Sequence, residues 1–473
     1  MPILREDHKI HSTEAALRAN RDRGFWIAGC TALFLSCLSY VNLVTVEFFN
    51  LHLFHASARD SRGWWLYVVM RLPFVAFFVW TVVRFPVKPD RAVRTNQPSV
   101  KPRTFDPLMG LRAFACIVVL MGHYFLVISP VAPYVNHYVR LLLVAPPWCG
   151  VWIFFTLSGY LMGKGFARGR YTLDEAGARS FLRNRLLRIC PVYYCAILLV
   201  SLYRYTDILQ WRHWWMLIEM FVFDYRGDLP INPIGALWSV STEVQFYVLV
   251  PLLMVLLLQV RQRLGELFAI VPMILVIAGT AARIWIAHRW DPYTYFYAPS
   301  IPNLDLFLAG MSINLVPALS LRPGARKLLG PTLLAGAICF YFAISAVLQS
   351  EARVSLLLFW VTGPFLCALF ALGFIYLAEL RGSVSISPGL MGRFLLGLQT
   401  VGTLTYCLYV FHPEVFAVNA ALLPKVHSLG VSLTHFPMAI LELVAVASFF
   451  YLAVEKPFDM KKKVSGTALE DAP

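Results

Sequence analysis

GLRAFACIVVLMGH, residues 110–123, is apolar enough to cross a bilayer yet carries one arginine and one histidine. Whether such a run is a buried soluble helix or a membrane span depends on its surroundings. The whole chain of 473 residues is 59% hydrophobic and only 14% charged, well below the roughly 25% charged residues of soluble domains. It reads as an all-α polytopic membrane protein. Apolar stretches near the ~20 residues that a spanning helix needs fall at 25–48, 64–85, 109–130, 148–163, 186–204, 240–260, 265–287, 301–317, 328–348, 354–378, 395–416 and 434–454. The segment WWMLIEMFVF, 214–223, is too short to span and reads as re-entrant or interfacial.

Basic residues test this arrangement, because short cytoplasmic loops collect Lys and Arg. With the amino terminus inside, the inner segments hold 29 of the 41 basic residues. The outer loops hold ten: Arg59, Arg62, Arg140, Arg204, Arg212, Arg226, Arg283, Arg289, Arg353 and Lys425. Arg71 and Arg112 lie within spans. Both termini are therefore expected in the cytoplasm, in a multi-pass protein of the plasma (inner) membrane. The net charge of +15 needs no nucleic-acid partner, since inside-facing loops against anionic membrane lipids account for it.

The polar start is too long and too charged for a cleaved signal and is expected to remain attached. The nine cysteines lie mostly in or beside spans, with no CxxC and no histidine-rich spacing, and read as small apolar residues. No metal site is expected. A basic, proline-rich linker, PVKPDRAVRTNQPSVKPRTFDP, divides the chain. The organisation read from this is an amino-terminal segment with an extra helix pair (1–85), the linker (86–108), a ten-helix core (109–458) and a cytoplasmic tail (459–473).

Arg112 and His123 are eleven residues apart, so they stand about three turns, ~16 Å, apart on nearly one helical face. Arg112 belongs near the inner surface and His123 at mid-depth or slightly beyond. Either Arg112 snorkels to headgroups and His123 bonds a neighbouring helix, or the two are stations of one internal cavity. Glu243, in LWSVSTEVQFYVLVPLL (237–253), opens a helix entering from the outer side. It is a functional candidate there, or a first-turn carboxylate held by the helix dipole. In FLRNRLLRICPVYY (181–194) the arginines precede a helix entering from inside, as topology signals or as an anion site. Ser158 and Gly159, in GVWIFFTLSGYLMG (150–163), read as small residues that allow close helix packing.

In this order the segments resemble acyltransferase family 3, integral membrane proteins that acylate hydroxyls of extracytoplasmic carbohydrates and related acceptors. The likeness covers about 110–458. GLRAFACIVVLMGH is similar to the opening helix, whose arginine and histidine fall on Arg112 and His123. GVWIFFTLSGYL resembles the second motif, and RLLRICPVYY the cytoplasmic R-x-x-R element, on Arg185 and Arg188. LWSVSTEVQFYVLVPLL resembles W-S-x-x-x-E-E-Q-F-Y, TYCLYVFHP (405–413) S-Y-x-x-Y-x-x-H, and VEKPF (454–458) the closing E-[RK]-P-[FL]. Met109 stands where the family commonly has Asp, with Asp106 one turn earlier as its candidate substitute, and Val244 replaces the second Glu.

The resemblance implies an acyl-CoA-dependent O-acyltransferase, with acetyl-CoA the donor it suggests most directly and a glycan or lipid-linked saccharide as acceptor. Arginine forks suit CoA phosphates, so Arg185 and Arg188, with Arg112 assisting, are the expected donor site. His123 is expected to take the acceptor's proton or to carry the acyl group transiently, and Glu243 to orient it or position the acceptor. A transporter or flippase for a glycan or lipid, and a non-catalytic scaffold of glycan assembly, are the readings from other classes.

Overall fold

A computed structural model describes residues 104–128, 135–203, 221, 235–287, 300–350, 356–422 and 429–458. The two amino-terminal spans, most of the linker, most of 214–223 and the tail 459–473 lie outside the described residues. What is described is helical apart from one two-residue strand pair and the connecting turns, and eight of its helical stretches are long and apolar enough to cross a membrane. It is an all-helical membrane protein. Helices suit that setting because hydrocarbon offers backbone N–H and C=O groups no partner outside their own segment.

Strand β1 (Thr104–Phe105) pairs antiparallel with β2 (Val384–Ser385), so the end of the linker is tied to the loop between two late helices. Helix α1 (Pro107–Gly122) follows at once. Asp106 caps it by accepting from the Leu108 N–H at 2.9 Å, and Pro107 fills the first helical position, where no N–H is needed. Asp106 thus has a structural task at the helix start. A π-helical turn, His123–Ile128, continues α1.

The short α2 (His137–Leu143) lies in a stretch expected to be an outer loop. Then come α3 (Pro147–Ala167), α4 (Glu175–Tyr203) and α5 (Trp238–Leu264). A 3-10 turn begun by Gly265, at φ 57°, leads into α6 (Val271–Ala287). Helix α7 (Ser300–Ser312) runs into a 3-10 turn at Ile313–Leu315, within the stretch 301–317 that reads as a span. It is followed by α8 (Pro323–Ser350), α9 (Leu356–Arg381), α10 (Leu390–Leu422) and α11 (Leu429–Phe450), the last running into a π-helical turn at Tyr451–Glu455.

Helix α3 is the axis of the core, packed between α1 and α7. Gly150 faces the Ala115 carbonyl of α1, Gly159 faces the backbone of Phe307, and Gly310 faces the Thr156 carbonyl. Where α3 crosses α7, backbone meets backbone, an approach that only small residues permit. Gly159 therefore has the packing role its sequence suggests. On the far side of α1, Gly402 of α10 lies against the Met109 backbone. Arg283, counted above with the outer loops, instead sits inside α6. Its side chain is 1% exposed and is ion-paired with Asp305 of α7, the arrangement a charge inside a membrane protein requires.

Candidate active site

One half of the site is built around Arg112. Its side chain lines a cavity of about 100 Å³ together with Ser158 of α3, Ser239 and Glu243 of α5, and Tyr406 and Tyr409 of α10. The charges acting on it come from Arg188, Glu243, Glu455 and Arg185, so both arginines of α4 and the glutamate of the closing motif converge on the same place. Arg185 and Arg188 are three residues apart and share one face of α4. The Arg185 guanidinium lies over the Phe181 and Tyr247 rings, 5.3 and 5.9 Å from their centroids, and its Nε is buried without a hydrogen-bond partner. Tyr406 anchors α10 to α4 by donating to the Ile189 carbonyl at 2.8 Å, beside Arg188. Among the described residues, none of the three guanidiniums forms an ion pair. Three guanidiniums without ion-pair partners, within electrostatic reach of one another and of two glutamates, favour an anionic ligand with several oxygens.

Glu243 is not a helix-start group. Helix α5 begins at Trp238 and has no acidic residue in its first turn, so Glu243 lies beyond the reach of the terminal dipole. Its carboxylate accepts from the Ser158 hydroxyl and lies beside the Tyr247 hydroxyl. The sequence reading paired Glu243 with His123 in the outer half; its hydrogen bonds here are instead on the Arg112 side. Ser158, read from the sequence as a packing residue, is a polar wall of the cavity.

His123, at the other end of α1, bonds His412 of α10, with Nδ1 and Nε2 2.9 Å apart and the rings 4.7 Å between centroids. The tautomers follow from a proline. In a regular helix the residue at 413 would donate to the Tyr409 carbonyl, but Pro413 has no N–H. His412 Nδ1 takes that acceptor at 2.7 Å, and since a carbonyl can only accept, Nδ1 must carry hydrogen. Neutral His412 then presents a lone pair at Nε2, and His123 must donate to it from Nδ1. The basic nitrogen of His123 is thereby fixed as Nε2. Tyr409 joins the two halves: its hydroxyl bonds Ser239 at 2.8 Å on the cavity side while its carbonyl holds His412.

His412, Ser158, Tyr409 and Glu455 are contributions that reading the sequence did not assign. The histidine of the S-Y-x-x-Y-x-x-H resemblance falls on His412, and the His-Pro dipeptide inside an apolar run was a second signal for it, since each residue alone is costly there. Among the described residues no group of three His, Cys, Asp or Glu side chains is disposed to hold a metal ion.

The segments that meet in this site are the motif segments of the sequence, and the family model described as an acyltransferase domain matches residues 108–454. The chain belongs to acyltransferase family 3. Among its relatives, the peptidoglycan O-acetyltransferase OatA of Listeria monocytogenes is 25% identical over 347 residues, covering 66% of this chain and 50% of the relative. The O-acetyltransferase OatA of Staphylococcus aureus is 28% identical over 172 residues, 33% of this chain and 26% of the relative. The putative peptidoglycan O-acetyltransferase YrhL of Bacillus subtilis is 23% identical over 230 residues, covering 45% and 33%. The chain thus spans half or less of the length of these relatives. No solved structure matches it. Within the family, this chain puts Val244, a buried residue, where the motif has its second glutamate.

Proposed function

We propose that the protein moves an acetyl group from cytoplasmic acetyl-CoA to a hydroxyl of an extracytoplasmic cell-wall glycan. The observation that carries this reading is the asymmetry of α1. One end contributes to three unpaired guanidiniums, and the other carries a histidine whose base nitrogen is fixed by its neighbours. Arg185, Arg188 and Arg112 hold the CoA phosphates, and Glu243, through Ser158 and Tyr247, keeps the cavity wall in shape. The pantetheine arm runs outward along the ~16 Å between Arg112 and His123. Both termini are cytoplasmic on the charge asymmetry of the loops, which puts the arginines on the donor's side.

The acceptor hydroxyl approaches His123 Nε2 from the opposite side of the membrane. His123 removes its proton as the oxygen attacks the thioester carbonyl. The tetrahedral intermediate collapses with cleavage of the C–S bond, and the proton passes from His123 to the departing sulfur, giving the acetyl ester and CoA. His412 holds the imidazole in the required tautomer throughout. The names of the relatives support peptidoglycan as the acceptor class. The test uses membranes containing the protein, acetyl-CoA labelled in its acetyl group, and glycan strands. Alkali-labile label and an added acetyl mass on the glycan are the expected result. Purified protein that neither binds nor consumes acetyl-CoA overturns the reading.

A further inference from the structure

A second cavity, away from the candidate active site, opens on the flank of the core. It encloses about 670 Å³ between α1, α8, the end of α9 and the start of α10, with Phe105 of β1 at one end. Its walls run from Pro107 to Ile117 on α1, ~15 Å, and from Gly330 to Phe342 on α8, ~18 Å. That is half of a ~30 Å hydrocarbon core, the depth of one leaflet. The volume is several times the ~150 Å³ that encloses a benzene in a protein interior. Ile338, Phe342 and Phe394 are 50%, 41% and 47% exposed along it, so it is a groove open to the side.

The lining is apolar except for Tyr341 and Arg381. Tyr341 is satisfied, its hydroxyl donating to the Leu142 carbonyl at 2.7 Å. Arg381 is not. Its Nε is buried with no partner and lies along Gly330, and among the described residues it forms no ion pair. Glu379, two residues earlier on α9, is held by Tyr160, Lys164 and Arg168 of α3. Exposed Arg326 and Lys327 stand one turn before Gly330 and Pro331 on the groove-facing side of α8, so three cations gather at one mouth of an apolar slot.

We propose that this groove binds one anionic phospholipid from the leaflet at the Arg381 end, the cytoplasmic one on the charge-based topology. Its phosphate sits on Arg381 with Arg326 and Lys327, and an acyl chain lies along α1 and α8. Charge complementarity selects this occupant: a zwitterionic lipid brings its own ammonium into a cluster of three cations, and a helix would leave the Arg381 guanidinium at the mouth of the slot without a counter-charge. The site is independent of the acetyl-transfer reading.

Native mass spectrometry of the full chain in detergent, with added phosphatidylglycerol or phosphatidylcholine of matched chains, tests it. One phosphatidylglycerol should be retained at least about tenfold better than phosphatidylcholine, a preference of the size that a charge-assisted contact gives. Arg381→Gln should abolish the preference, and Ala337→Phe, which fills the slot, should weaken retention of both lipids. Gel filtration and circular dichroism establish that each variant is folded, and the wild-type preference is readable without either. Equal retention of the two lipids by the wild type overturns the proposal, as does a preference that survives both substitutions in folded protein. A disulfide formed in the bilayer between Ile338→Cys and a cysteine introduced within 64–85 also overturns it, by showing that the chain's own apolar run fills the groove.

Discussion

The two ends of α1 solve opposite problems with the same material. At Arg112 the chain collects charge: three guanidiniums without ion-pair partners, two glutamates within electrostatic reach, and a cavity of about 100 Å³ among hydroxyls. At His123 it avoids charge, joining two neutral imidazoles in a chain of hydrogen bonds that ends on a backbone carbonyl. The first end is unfinished without a ligand, whereas the second is complete in itself. A cluster that lacks partners is suited to binding, and a group whose tautomer is already set is suited to proton transfer.

The largest effect should come from breaking the His123 end. His123→Ala is expected to slow acetyl transfer by ~10²–10⁴-fold, the range lost with a general base, while CoA still binds and excess acetyl-CoA gives no rescue. Turnover within a few fold of normal in a stably inserted variant would make the histidine a packing residue and dissolve the contrast. At the Arg112 end, Arg185→Ala and Arg188→Lys should raise KM for acetyl-CoA by ~10-fold or more and leave kcat nearly intact. The lysine loses the fork that grips two phosphate oxygens. Should kcat fall while KM holds, the arginines act on the chemistry instead.

Pro413→Ala sharpens the comparison more gently. It returns an N–H to compete for the Tyr409 carbonyl, loosens the hold on His412 Nδ1, and should lower kcat several-fold with KM unchanged. An unaltered pH–rate profile and kcat would mean that the tautomer is set by other contacts. The smallest effect is expected outside both ends. Asp174 caps α4 by accepting from the Thr172 hydroxyl at 2.6 Å and the Gly177 N–H at 2.8 Å, bonds that hold its carboxyl below the usual carboxylate range. A lowered folded pKa stabilises the fold above the unfolded value and loses that contribution as pH falls through the folded one. Asp174→Ala should therefore reduce the thermal midpoint slightly at neutral pH, less at acid pH, with transfer unaffected. A large loss of transfer would tie this loop to the arginines it precedes.

Helix positions were legible because apolar length is written locally. Each of the core runs from 109–130 to 434–454 overlaps a described helix, and eight of the described helical stretches are long and apolar enough to span. What was not legible depends on separation. His123 and His412 are 289 residues apart, and nothing near either one specifies the other. Glu243 was read at a helix start because the polar residues before it resemble a boundary, yet α5 begins five residues earlier, at Trp238. Ser158 carries the same letters whether it packs or donates, and only the arrival of Glu243 from another helix decides. The apolar run read at 301–317 ends in a 3-10 turn at Ile313–Leu315, a change of backbone geometry that apolar length alone does not signal. Arginines 185 and 188 could be recognised as a pair, and the resemblance put Arg112 at the same expected donor site; the structure has both within electrostatic reach of it.

The crossing of α3 and α7 has a consequence for how this chain can vary. A methyl group on Gly159 or Gly310 would have to displace main chain, not a side-chain tip. Ser158 is the next residue to Gly159, so any separation of the two helices would be transmitted to the carboxylate of Glu243. A mutational library should find these glycines as intolerant as Arg112 and His123, though neither touches a ligand. The outward positions of α8, by contrast, should accept nearly any apolar replacement.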